Sequence, residues 1–304
     1  AAKLDVPNPP TTERELSEQL LSFQDELKST PESRDALKYL MFQPPLPIPA
    51  RAAYCYTTGT ITLSTQAHVD NFQSSYGQCD TTPFGLSITG DNIRNLSGLA
   101  DLKTVRGNLD ITDAYRLNNY SGLANLQAIE GRLRISQSGW SNYSVSNYQI
   151  DMASLVSIGG DLDVSGTRTD RLTSMQFPVL ESLGGSINFN EVPNLSSILL
   201  PVLTSVPGTL RINAVPIKNV DSFSNITTIG GDLTIANSSQ LRQLDGFASV
   251  TAIGGNALLS NNDSMVDLHG LAALGVITGS LSIEDNAALR ACGGVFTVLN
   301  ASQV

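Results

Sequence analysis

The sequence predicts a mainly β chain: a single-stranded parallel β-solenoid of about nine coils of 23–29 residues, preceded by an N-terminal helical extension. A Gly-x-Leu-x-Ile unit recurs at Gly107 (GNLDI), Gly131 (GRLRI), Gly160 (GDLDV), Gly185 (GSINF), Gly208 (GTLRI), Gly231 (GDLTI), Gly255 (GNALL) and Gly279 (GSLSI), with a degenerate first copy at Phe84 (FGLSI). Apolar residues within each unit stand two apart, as in Leu109/Ile111 and Leu210/Ile212, the period of a strand with one buried face. Gly or Gly-Gly then closes the repeat too soon for the two helices of a tetratricopeptide or ankyrin unit. No such repeat can bury its apolar side alone, so stacked neighbours must supply the core.

Taken in order, residues 1–53 form a helical and proline-rich extension outside the repeat. Thr12-Glu13-Arg14-Glu15 reads as a capping box leading into Leu16, Leu20, Phe23 and Leu27 on one helical face. Thr30-Pro31 starts a second helix through Leu37, Leu40 and Met41, and the proline run at 44–49 must be extended. These helices are expected either to plug the first coil or to reach a neighbouring subunit in self-assembly. Residues 54–83 form a cap bracketed by Cys55 and Cys79, whose bridging would contribute about 3 kcal/mol by loop closure. Inside it, 58–64 reads as a strand, and Ser64 or Thr65 caps a short helix carrying Ala67, Val69 and Phe72 that covers the solenoid edge. Residues 84–304 are the repeat domain. Cys292 is left over, as a free thiol or with its partner beyond Val304.

Composition excludes several function classes. Eighteen Lys+Arg against 28 Asp+Glu give a net charge of −10, with no basic patch to meet a phosphate backbone. No run approaches the ~18 apolar residues of a membrane span. Two His and three Cys leave most metal sites and nucleophilic triads short of parts, and no cofactor fingerprint is present. His68 and His269 stand alone, and the recurring Gly-Gly pairs read as coil corners rather than phosphate cradles. The chain opens Ala1-Ala2-Lys3, which reads as either a trimmed chain or one left by signal peptidase. Acceptors for N-glycosylation stand at Asn95, Asn119, Asn142, Asn194, Asn225, Asn237, Asn262 and Asn300, against about four expected by chance. With the paired cysteines they point to an extracellular or cell-surface location.

The stretch CYTTGTITLSTQAHVDNFQSSYGQC from Cys55, followed by NLSGLADLKTVRGNLDI and coils such as ITTIGGDLTI, resembles the receptor L-domain family. These are leucine-rich-repeat-like β-solenoids of growth-factor receptor ectodomains, fungal wall proteins and secreted bacterial surface proteins. The resemblance covers about residues 54–304. It implies surface recognition of a protein or glycan and names no particular ligand.

Two places attract attention as sites. The outward strand positions form a column: Ser87, Asp110, Arg134, Asp163, Asn188, Arg211, Thr234, Leu258 and Ser282. Asp110, Arg134 and Asp163 alternate in sign on successive coils about 4.8 Å apart, as in a stabilising charge ladder or in the carboxylates of a polysaccharide-cleaving β-helix. The second place is the longest coil, whose insertion carries Trp140, Tyr143 and Tyr148, with Tyr115 and Tyr120 in the coil beside it. Such aromatics either stack on sugar rings and protein partners or bury themselves. The leading expectation is a non-catalytic recognition or adhesion protein binding a glycan or protein partner. A structural subunit of an extracellular filament or wall layer, and a polysaccharide-active enzyme, are the alternatives.

Overall fold

The computed structural model describes residues 53–136, 148–166 and 172–291. The chain divides into two units, Ala1–Arg51 and Ala52–Val304, and every described residue lies in the second. The expected N-terminal helices, the proline arm and Cys292 lie outside the described residues.

One strand from each coil enters a ten-stranded parallel sheet. In spatial and chain order alike these are Ile61–Leu63, Leu86–Thr89, Leu109–Thr112, Leu133–Ser136, Leu162–Ser165, Ile187–Asn190, Leu210–Asn213, Leu233–Ala236, Ala257–Ser260 and Leu281–Glu284. The Gly-x-Leu-x-Ile units therefore fold as their period requires, with Leu109/Ile111, Leu133/Ile135 and Leu210/Ile212 fully or almost fully buried. Burying each such side chain contributes roughly 1.5–3 kcal/mol, which is how stacked coils hold together without a central layer of helices.

The expected single strand per coil is corrected by a second, shorter element. Two-residue strands such as Thr104–Val105, Ala128–Ile129 and Thr228–Ile229 stack just before the glycine corner in sheets of five and four strands. Two residues are too few for alternation to reveal them in sequence. Among the described residues the remaining side is a short 3-10 turn in five coils: Ser97–Leu99, Ser121–Leu123, Asp221–Phe223, Asp245–Phe247 and His269–Leu271. In the three middle coils it is replaced by strands Tyr148–Asp151, Leu172–Gln176 and Ser197–Leu199. The turn requires a small residue in its middle, because the carbonyl of the preceding coil presses on it. A Cβ on Gly122 would collide with the Leu96 carbonyl, and one on Gly246 with that of Val220. Asp151, Gln176 and Leu199 stand in that place in the middle coils, and there the backbone stays extended.

The Gly-Gly corners follow the same logic of close approach. A Cβ at Gly159, Gly184, Gly230 or Gly254 would run into a carbonyl oxygen one coil earlier. The left-handed residue lies elsewhere, directly after six of the long strands: Asp113, Glu191, Ala214, Asn237, Asn261 and Asp285 have φ between 50° and 55°. Gly90 and Gly166 hold the same place. This bend keeps the backbone ladder going, with Glu191 N–H donating to Asn213 O at 2.9 Å and Asn237 N–H to Ser260 O at 3.0 Å.

At the N-terminal edge Cys55 and Cys79 are bonded, with Cα atoms 5.0 Å apart. The predicted strand shortens to Ile61–Leu63. The predicted helix becomes two, Gln66–Asp70 and Phe72–Tyr76, with Thr65 as the N-cap accepting from the His68 backbone N–H at 3.2 Å. Val69 and Phe72 are fully buried while Ala67 is exposed, and both helices pack on the first 3-10 turn.

Candidate recognition surface

The outward faces of the long strands are polar from Ser87 to Thr234, with Leu258 breaking the column near its end. Register pairs Ser87 with Asp110, Asp110 with Arg134, Arg134 with Asp163, Asp163 with Asn188, and Asn188 with Arg211. Thr234, Leu258 and Ser282 complete the column. The charge ladder expected from sequence is present in register, but its ions pair differently. Asp110 is held by Arg132, not by its rung neighbour: Nε to Oδ1 is 2.9 Å and Nη2 to Oδ2 is 3.4 Å. That carboxylate raises the Arg132 guanidinium above its ordinary pKa, by hydrogen bonding first and by charge second. Arg134 stands 3.6 Å from the far carboxylate, Asp163, which also accepts from Asn188 Nδ2 at 2.8 Å.

Arg132 differs from the other residues at its position for a readable reason. The residue between the glycine and the first strand leucine is Asn108, Arg132, Asp161, Ser186, Thr209, Asp232, Asn256 and Ser280 in successive coils. Wherever this residue has a side-chain acceptor, that acceptor takes the backbone N–H of its equivalent one coil on. The distances are 3.1 Å for Asn108 to Arg132, 2.7 Å for Asp161 to Ser186 and 3.0 Å for Ser186 to Thr209. They are 3.2 Å for Thr209 to Asp232, 2.6 Å for Asp232 to Asn256 and 2.9 Å for Asn256 to Ser280. Arginine has no acceptor, so Arg132 turns its guanidinium onto the sheet face instead. The sequence reading missed this corner ladder, although the signal, a small acceptor after each glycine, was in plain view.

The aromatic cluster expected around the long coil splits. Tyr120 and Tyr148 are buried and stacked on each other, ring centroids 5.5 Å apart at 18°, with Tyr120 also at the edge of the neighbouring cavity. Their contact joins adjacent coils, which is the better use of apolar area at the point where a 3-10 turn gives way to a strand. Tyr115 is half-buried and donates its hydroxyl to Asp113 at 2.9 Å. Burial first, then that carboxylate, push its phenol pKa up. Trp140 and Tyr143 lie outside the described residues. Beside this region a cavity of about 490 Å³ is lined by polar groups including Asn118, Asn119, Gln149 and Asp151. The exposed aromatics among the described residues are elsewhere, at Tyr54, Tyr56 and Phe84 near the disulfide, with Arg106 4.9 Å over the Tyr54 ring.

The acceptor asparagines also divide. Asn119, Asn194, Asn225 and Asn237 are exposed and Asn95 is half-buried, its Oδ1 capping the Ser97 N–H at 3.1 Å. Asn262 is fully buried, donating to Ile235 O at 2.9 Å and accepting from Ser238 N–H at 3.0 Å, so the folded chain has no room for a glycan there. Asn142 and Asn300 lie outside the described residues.

Among the described residues no cluster of three or more His, Cys, Asp or Glu could hold a metal ion, and no helix is long and apolar enough to cross a membrane. A search of curated proteins returned no match to the chain. Residues 203–266, which contain the strands Leu210–Asn213, Leu233–Ala236 and Ala257–Ser260 with the 3-10 turns between them, match the model of the Receptor L domain family, in keeping with the resemblance read from the sequence.

Proposed function

We propose that the protein is an extracellular or cell-surface recognition module that binds a glycan or protein partner, without catalysis, through the outward face of its ten-stranded sheet. The observation that supports this most is the in-register column Asp110–Arg134–Asp163–Asn188–Arg211, a rigid array of charged and amide groups on strands whose other faces are fully buried. Groups held at fixed spacing lose little freedom on binding, which favours specific recognition. The same geometry speaks against the hydrolase reading. Glycoside hydrolysis needs one carboxyl group to give a proton and another to attack or activate water. Asp110 and Asp163 are each engaged by an arginine, and Arg134 lies between them in the column. Resemblance of residues 203–266 to a ligand-binding receptor family fits the same role.

The test is a combined Asp110→Ala, Arg134→Ala, Asp163→Ala variant, probed on a glycan array and on cell surfaces beside the wild type. Loss of binding with an unchanged melting curve supports the face as the site. Binding equal to wild type overturns it.

A further inference from the structure

Resting on that reading, we infer that the ligand of this face is an acidic polysaccharide, with Arg211 taking its carboxylate or sulfate. Three arginines project from the face, and two are already neutralised, Arg132 by Asp110 and Arg134 by Asp163. Arg211 is exposed, stands in register between Asn188 and Thr234, and enters no ion pair among the described residues. The carboxylate two positions before the rung partner Thr234 on the next coil, Asp232, is committed to the corner ladder through the Asn256 N–H. The rung beside Arg211 is unsatisfied as well. Asn188 gives Nδ2 to Asp163, while its buried Oδ1 has no hydrogen-bond partner among the described residues. A small turn of that amide offers the oxygen to a sugar hydroxyl next to the anion held by Arg211. A planar guanidinium matches a carboxylate or sulfate through two parallel N–H donors.

The surrounding face selects a sugar polymer over a protein. Protein interfaces centre on buried apolar or aromatic anchors. Around Arg211 the outward positions Ser186, Asn188, Asn190, Thr209, Asn213 and Thr234 carry hydroxyls and amides, beside Asp232, which is held in the corner ladder, and the buried Ala236. Rungs repeat at about 4.8 Å, close to the length of one pyranose ring, so a chain laid along the solenoid axis meets one polar rung per sugar.

Titration calorimetry of the full chain with polygalacturonate, heparin and neutral dextran tests this, using wild type, Arg211→Gln, Arg211→Lys and Asp163→Ala. The expected result is binding to an anionic polymer and not to dextran. It should weaken at least tenfold in Arg211→Gln, less in Arg211→Lys, and progressively with added salt. Binding of polygalacturonate alone assigns the carboxylate, and of heparin alone the sulfate. Anionic-polymer binding that Arg211→Gln leaves intact, or dextran bound as tightly, overturns the inference. Should Asp163→Ala abolish binding of a neutral glycan or a protein that Arg211→Gln still binds, the acidic class falls while the recognition face stands. Binding untouched by either variant removes the face itself. Because Arg211 is exposed, its variants should melt with the wild type, and that control keeps a null result interpretable.

Discussion

Asp110 faces Arg134 across the ladder, yet its carboxylate is bound by Arg132, two positions earlier and just ahead of the same neighbouring strand. The diagonal pair sets the electrostatics of the face, because it leaves Arg134 to Asp163 and consumes charge in pairs along the column. Both members are partly exposed, so the pair should be worth little to folding. Asp110→Asn is expected to lower stability by only about 0.2–1 kcal/mol in urea titration. A double-mutant cycle with Arg132→Gln should recover a coupling in that range, and a coupling of several kcal/mol would show that the pair is structural instead.

Asn262 should behave oppositely, since its amide bonds two backbone groups inside the core. Asn262→Ala removes the acceptor of the buried Ser238 N–H and is expected to cost about 1–3 kcal/mol. In a host that glycosylates, peptide mass spectrometry should find Asn262 bare even if Asn119, Asn194, Asn225 or Asn237 is occupied. A glycan at Asn262 in folded protein would contradict the buried placement.

Gly122→Ala drives a methyl into the Leu96 carbonyl of the preceding coil. Coils stacked through backbone hydrogen bonds cannot separate locally, so destabilisation of about 3 kcal/mol or more is expected by chemical denaturation. An alanine at Gly59, where nothing lies within 4 Å, should be nearly neutral and provides the control.

Ala214 holds the left-handed bend at φ 54° where Asn, Asp, Glu or Gly stands in other coils. An alanine there carries a strain of about 1–2 kcal/mol that glycine does not. Ala214→Gly should therefore stabilise the protein modestly, partly offset by the freer unfolded chain. A drop in melting temperature would mean that the methyl contributes more by packing than it costs in strain.

Reading the candidate site from sequence succeeded where a period was available and failed where contact mattered. The column from Ser87 to Ser282 was legible because a two-residue period inside a regular repeat fixes which side chains share a face. Sequence left two readings open for Tyr120 and Tyr148, ligand contact or burial, because aromatic side chains in loops look alike whether they stack on each other or face solvent. Their burial depends on the next coil, which local sequence does not describe. The corner ladder was within reach of the sequence, for Asn, Asp, Ser or Thr follows nearly every corner glycine, and Arg132 is the exception that marks the charged face.

By itself, then, the amino-acid order determined a parallel solenoid, its register, and the cysteines that close its first edge, since each follows from local periods and spacings. Only the stacked structure decided which arginine meets which carboxylate, which asparagine is sealed inside, and why the middle coils trade a 3-10 turn for a strand. Those outcomes depend on distances between residues 22 to 29 positions apart in the chain, where packing and hydrogen bonding choose among partners that the sequence leaves equivalent.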